Sequence, residues 1–422
     1  MVPNALLPKA IVALLPALLY ACSEIPSKPP PGTVQRTSPR VQAAPPAPAG
    51  VTAPPPAAYA APAPAPARSG GGLALLLPLS GAYSAAAESV RDGFVSAYFG
   101  DAAHARLRVY DIGATVDTLR AAYQQALNDG AGFIVGPLRK EDVTALAGFV
   151  PPVPVLALNY LDAGVAAPFN FFQLGVAPED EARAAARQAL ALGQRRAVAL
   201  VPDADWGARV LAAFDETLRA NGGAVVRSQR YAQGAIDVSK TIADLMGVSA
   251  SEDRHKALTA VLGEKSEFES ARRGDIDLVF LAARPQDAQL LIPQLRFNRA
   301  GDLPIYATAL IYDGKPGGDL NGLRFCDAPW LIGQSDALSA QRSAANGLST
   351  ATPRLFALGR DAYTLAAGLQ RGALRVGDAI DGASGRLEWR DRSVVGRSLE
   401  CAQINGDGLR ALSMAGAPPS SP

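Results

Sequence analysis

The chain has 422 residues, of which 49% are apolar, 19% charged and 6% aromatic, with a formal net charge of +1. At roughly 150 residues per domain this is enough for two or three cores, and the near-zero charge excludes a cationic nucleic-acid binder that works by neutralising phosphates. Two histidines, His104 and His255, argue against an imidazole-built zinc site, and three cysteines exclude a disulfide-dense scaffold.

The first segment reads as an address. Lys9 precedes an uncharged run, Ala10 to Tyr20, that is too short to span a bilayer and is interrupted by Pro16. It ends in Leu19-Tyr20-Ala21-Cys22, which resembles the bacterial lipoprotein box. That resemblance implies a signal peptide over 1–21, lipidation of Cys22 and acylation of the new amine. Each buried methylene contributes only about 0.8 kcal/mol, so stable anchoring takes more than one chain. Ser23, where a retained lipoprotein would carry Asp, favours the outer membrane by resemblance to the enterobacterial sorting rule.

Residues 22–72 are expected to form a disordered tether. Between Ser23 and Gly70 lie 14 of the chain's 34 prolines, and no apolar periodicity appears. Proline removes donors and fixes φ, so this segment builds neither helix nor inner strand. Extended at about 3.1 Å per residue it would reach roughly 150 Å.

Strands and helices then alternate. Leu73 to Leu79 is a continuous apolar run, as in a buried parallel strand. A helix follows over Ala85–Phe99, with Val90, Phe94, Val95 and Tyr98 on one stripe. Strands are expected at 107–111, 131–135 and 153–158, and helices at 117–128 and 141–149. The rhythm restarts with a helix over 181–192, whose acidic start suits the helix dipole. Strands are read at 197–201, 224–231, 277–282 and 303–307, and helices at 206–220 and 285–297. Residues 247–274 read as an insertion with one or two surface helices, and 335–355 as loop before a helix over 360–371. This order predicts an α/β fold of two lobes, each a doubly wound parallel sheet.

Several segments sharpen the reading. Leu75-Leu76-Leu77-Pro78-Leu79-Ser80-Gly81, Ile134-Val135-Gly136-Pro137-Leu138 and Asp203-Ala204-Asp205-Trp206-Gly207 resemble strand ends of type I periplasmic binding proteins. Arg272 to Asp277, Pro293 to Phe297 and Gly322 to Trp330 resemble the C-terminal domain of the penicillin-binding-protein activator lipoproteins. The resemblance covers about 73–405. It implies lobe 1 over about 73–175 plus 303–345, lobe 2 over about 176–302 plus 346–405, and leaves 406–422 as a disordered tail. The helical-repeat domain of enterobacterial members is not expected here, and the proline-rich segment is read as standing in its place.

The implied function is an outer-membrane lipoprotein that reaches through the wall and activates a bifunctional class A penicillin-binding protein. The alternative is a solute receptor of an ABC importer for amino acids or small peptides. No G-x-S-x-G, H-E-x-x-H or Walker loop is present; no enzyme, cofactor, metal or nucleic-acid partner is expected.

Ligands of such sheets sit at the carboxyl ends of strands. The cleft candidates are therefore Ser80, Tyr83, Arg139, Asn159, Tyr160, Asp205, Trp206 and Arg284. By resemblance to amino-acid receptors, Ser80 would hold a carboxylate and Asp205 an ammonium; the other reading is a vestigial cleft filled by side chains. With Cys22 taken by lipid, Cys326 and Cys401 remain, either as a bridge in an exported protein or as two buried thiols. Trp330 and Trp389 read as packing residues.

Overall fold

A computed structural model describes residues 71–162, 164–263, 267–312, 318–345, 352–406 and 408–412. The expected leader, Cys22, the tether up to Gly70 and the end of the tail lie outside the described residues. Among those described, no helix is long and apolar enough to cross a membrane.

The described elements start with β1 (Gly72–Leu77), α1 (Ser84–Phe99), β2 (Leu107–Asp111), α2 (Val116–Asn128), β3 (Ala131–Val135), α3 (Lys140–Gly148), β4 (Val155–Ala157) and β5 (Phe171–Leu174). They continue through α4 (Pro178–Ala191), β6 (Arg196–Pro202), α5 (Asp205–Ala220), β7 (Ala224–Tyr231), α6 (Ser239–Met246), α7 (Val248–Leu262), β8 (Leu278–Leu281), α8 (Pro285–Leu295), β9 (Ile305–Ala307) and β10 (Arg324–Asp327). A connecting region follows with α9 (Pro329–Ile332) and α10 (Asp336–Ala344). The last elements are α11 (Pro353–Arg371), β11 (Ile380–Asp381), β12 (Arg386–Trp389), β13 (Val394–Ser398), β14 (Glu400–Asn405) and β15 (Gly408–Leu412).

Two sheets organise these elements, in the orders β11-β12-β13-β5-β4-β3-β1-β2 and β15-β14-β10-β9-β8-β6-β7. Both are parallel through most of their width. Each ends in antiparallel strands, β11 and β12 in the first and β14 and β15 in the second. The parallel, doubly wound sheet expected for each lobe is therefore present, with an antiparallel pair added at one edge.

Both faces of each sheet are covered, and the sequence of β1 shows how. Leu73, Leu75 and Leu77 enter one core with Val90 and Phe94 of α1 and Leu358 of α11. Ala74 and Leu76 enter another with Leu119 and Tyr123 of α2 and Val143 of α3. The side-chain period of two sends alternate residues to opposite faces, so a strand buried on both must be apolar throughout. In β6, Val198 and Leu200 face the core with α6 and α8, while Ala197, Ala199 and Val201 face α4 and α5.

α1 and α11 touch backbone to backbone. A Cβ on Gly93 would lie 1.9 Å from the Phe356 carbonyl oxygen, and one on Gly359 would lie 2.0 Å from that of Val90. Only glycine permits this approach.

The division between lobes differs from the expected one. Residues 303–327 stay in the second lobe, because β9 pairs in parallel with β8 and β10 pairs in parallel with β9. The 353–398 region belongs to the first lobe: β13 adds in parallel beside β5. Then β14 and β15 return to the second sheet. The chain crosses at 175–177, between β10 and α11, and at Leu399. The physical reason lies in β5, whose Phe171-Phe172-Gln173-Leu174 run is too short to stand out as a strand in the sequence. It completes the first parallel set before the first crossing and offers its free edge to β13.

Two further expectations are corrected. The 335–355 region contains α10, capped by Ser335, whose hydroxyl accepts from Leu338 N–H. No α10 residue is buried, so it lacks the apolar stripe that would reveal it. The tail expected from 406 onward contains β15, which pairs antiparallel with β14: Cys401 lies opposite Leu412, and Asn405 opposite Gly408. The 247–274 insertion does carry a surface helix, α7, with only Val248 and Ser251 buried.

Cys326 of β10 and Cys401 of β14 are directly opposite in register and form a disulfide. Trp330 is buried against Phe356, and Trp389 packs edge-on to Phe172, as expected of packing residues.

Candidate functional site

The first-lobe candidates follow β1, β3 and β4, and most are bound to their own lobe. Ser80 is exposed just after β1. Burial raises the Asp111 carboxyl, but hydrogen bonds from Gly113 N–H, the Ser80 hydroxyl and Leu79 N–H outweigh it and hold the group below its ordinary value. Ser80 thus serves a carboxylate of the protein itself.

Arg139 is buried at the N-cap of α3. Its Nε and Nη2 donate to Asp142 at 2.5 and 2.9 Å, and Nη1 donates to the Ala114 carbonyl at 3.2 Å. Tyr83 is half exposed, with its ring 5.8 Å from the Arg139 guanidinium. Asn159 Nδ2 donates to the Leu138 carbonyl, and its Oδ1 accepts from Tyr160 N–H. The Tyr160 hydroxyl donates toward the carbonyls of Gly175 and Val395 at 3.3 and 3.4 Å. Burial, helped by the Asp180 charge, pushes this phenol up to about 12. Tyr160 clasps the first crossing to β13.

The second-lobe candidates are more open. Asp205 begins α5 and is exposed. Trp206 leans on the core formed by α4, α5 and β6, and its buried Nε1 has no hydrogen-bond partner among the described residues. Arg284 is exposed at the N-cap of α8. Among the described residues, no hydrogen bond or ion pair joins the first-lobe candidates to Asp205, Trp206 or Arg284.

Sequence reasoning missed a set of buried charges where the chain crosses. Asp180, in the first turn of α4, accepts from Arg183 at 2.9 Å and from Arg390, with Arg397 3.6 Å away. Arg390 and Arg397 belong to the first lobe and α4 to the second. The next residue, Glu181, accepts from Ala309 N–H at 2.8 Å. Burial, reinforced by Asp327, pushes its carboxyl up to about 8, against the pull of Arg354.

Arg354 in turn grips Asp327 and donates to the Ala309 carbonyl. Asp361 of α11 accepts from Ala383 N–H, Ser384 N–H and the Ser384 hydroxyl. Arg397 Nη1 closes the group by donating to the Ser384 carbonyl. The helix dipole accounts for acids in the Pro178-Glu179-Asp180-Glu181 turn, but only in part. Asp180 and Glu181 are separated from Arg354, Arg390 and Arg397 by more than 100 residues in sequence, and only the fold brings them together.

Such charges are retained in a protein interior only when each has partners, because desolvation is costly. The arrangement fixes how the lobes join. It contains no nucleophile–base pair, and among the described residues no cluster of His, Cys, Asp and Glu could hold a metal ion.

Two lobes of mixed, mostly parallel sheet, joined by three crossings, define a domain like the periplasmic binding proteins. The LppC putative lipoprotein family matches residues 68–406, which span both lobes, and the chain belongs to that family. A penicillin-binding protein activator LpoA of Vibrio antiquarius is 31% identical over 345 residues, covering 78% of this chain and 56% of that protein. The chain therefore spans about half the length of the curated relatives it matches. The LpoA C-domain from Haemophilus influenzae, described as a regulator of PBP1A, superimposes with a TM-score of 0.62 at 23% identity, covering 81% of this chain and 99% of that one. A putative branched-chain amino acid ABC transporter protein from Chromobacterium violaceum gives a TM-score of 0.62 at 27% identity, covering 79% and 99%.

Proposed function

We propose that this chain is an outer-membrane lipoprotein, anchored through Cys22, that activates a bifunctional class A penicillin-binding protein and catalyses nothing itself. The observation that carries this reading is the extent of the family match: it covers both lobes, and relatives over that region are named as activators of penicillin-binding proteins. The first-lobe strand ends support it. Arg139, Asn159 and Tyr160 spend their polar atoms inside the protein, leaving little of a preformed cradle for a solute.

Activation would proceed by docking a lobe surface on the synthase and shifting that enzyme toward its active population. The proline-rich segment would give the domain its reach through the wall. The test is glycan-strand and crosslink formation by the cognate synthase with and without the full-length chain. A several-fold stimulation is expected; no change at saturating protein overturns the reading.

A second reading, a receptor for amino acids or small peptides, is favoured by the 27% identity to the putative branched-chain amino acid transporter protein. A thermal-shift screen of amino acids separates the two. A ligand at 100 times its dissociation constant stabilises by about 2.7 kcal/mol, so a solute receptor would show it and an activator with a vestigial cleft would not.

A further inference from the structure

A cavity of about 580 Å³ opens at the junction of the lobes. None of the eight cleft candidates lines it. Its walls include Arg187 of α4, Leu338 of α10, Ala383 and Arg386 of the first lobe, and Leu399 and Glu400 of the last crossing. A molecule held there touches both lobes and the segments that join them. The volume suits a small organic ligand.

The charges in this cavity are unevenly committed. Arg386 is already held by Asp381 at 3.0 Å and Glu388 at 2.9 Å. Arg187 is half-buried, and among the described residues it has no acceptor at hydrogen-bonding distance and no carboxylate at ion-pair distance. Desolvation lowers its pKa; Asp180 and, less strongly, Glu388 oppose this, while Arg183 and Arg390 add to it. Asp180 accepts its hydrogen bonds from Arg183 and Arg390 and none from Arg187. A partly desolvated guanidinium beside its own kind of charge favours an incoming anion.

Glu400, exposed at the cavity's rim, carries the opposite charge. It lines the same cavity, and among the described residues no donor reaches its carboxylate. Desolvation raises its pKa, with Arg342 pulling the other way. Leu338, Ala383 and Leu399 line the same walls with apolar side chains that make no hydrogen bonds.

We propose that this cavity binds a short peptide with free termini, its carboxylate on Arg187, its ammonium on Glu400, and small apolar side chains against Leu338 and Leu399. This goes beyond the activator reading and does not rest on it. Because the cavity is walled by both lobes, occupancy favours one interlobe angle over others and couples ligand to shape.

The experiment titrates the full-length chain with L-alanyl-L-alanine, its N-acetyl form and its C-terminal amide, read by thermal shift and calorimetry. The free dipeptide is expected to raise Tm by several degrees at saturation. The amide is expected to bind about tenfold more weakly or worse, as lost charge-assisted hydrogen bonds require. Arg187→Gln should abolish the preference for the free carboxylate, and Glu400→Gln the preference for the free amine. Ala337→Trp, at an exposed cavity-lining position, should block binding by filling space without altering either charge. The proposal is overturned if no dipeptide binds at millimolar concentration or if the amide binds equally. Undiminished binding to both Arg187→Gln and Ala337→Trp also overturns it, since that would place the dipeptide elsewhere, as in the interlobe cleft.

Discussion

Arg354 holds Asp327 through two nitrogens, Nε at 3.0 Å and Nη2 at 2.6 Å, and so joins the last residue of β10 in one lobe to the first turn of α11 in the other. The carboxylate is buried, and the arginine side chain is 22% exposed. Removing the cation leaves an unpaired charge in the interior, which typically costs about 3–5 kcal/mol. Arg354→Met is therefore expected to lower the urea midpoint sharply. Asp327→Asn, which keeps the shape and one accepting oxygen and leaves unpaired the less buried member of the pair, should cost less. Equal losses in both variants would count against charge pairing as the cause.

Glu181 gives stability a defined pH dependence. Its carboxyl sits at about 8 in the folded protein, against 4.5 for an unperturbed glutamate. The folded state keeps a proton that the unfolded chain releases, so this contribution is full below about pH 4.5 and is lost as pH rises to about 8. It amounts to a few kcal/mol, since each tenfold change in proton affinity corresponds to about 1.4 kcal/mol. Glu181→Gln can still accept from Ala309 N–H and does not titrate. The wild type should lose stability between pH 5 and 8 more steeply than this variant; parallel curves by chemical denaturation would refute the assignment.

The Cys326–Cys401 bridge spans 75 residues. By chain entropy, closing such a loop contributes about 4 kcal/mol. The double variant Cys326→Ser, Cys401→Ser should unfold at lower denaturant by that order, and wild type in reductant should approach it. A thiol count of the unfolded, unreduced domain would show neither cysteine reacting.

The contact between α1 and α11 predicts a contrast among glycines. Gly93→Ala places a methyl 1.9 Å from the Phe356 carbonyl oxygen, so the helices must separate. A loss of roughly 3 kcal/mol is expected, as for severe overpacking. Gly148→Ala, in α3 with open space around the added carbon, should instead be neutral or stabilise by about 0.4–1 kcal/mol. Thermal melts of the two variants should move in opposite directions or differ by many degrees.

The alternation of strand and helix was legible because buried parallel strands are apolar without interruption. β2, β3 and β7 fall at the expected residues. What escaped was local and weak. β5 is four residues long, and α10 has no buried face. The lobe division escaped for a different reason: which sheet β9 joins depends on which edge is free, and that is a property of the assembled fold. The cleft candidates were chosen by their place after strands, but spacing alone could not show that Arg139 is committed to Asp142. The buried acids at the crossings were visible as residues, yet their arginine partners across the lobes lie too far along the chain for any local pattern to connect them.

The bridge between Cys326 and Cys401 has a topological result. Everything from 327 to 400 — the joining segment, α11 and three strands of the first lobe — is a sealed ring rooted in the second. A single peptide cut inside that ring would leave one covalent molecule, whose two fragments part only when the sulfur–sulfur bond is reduced.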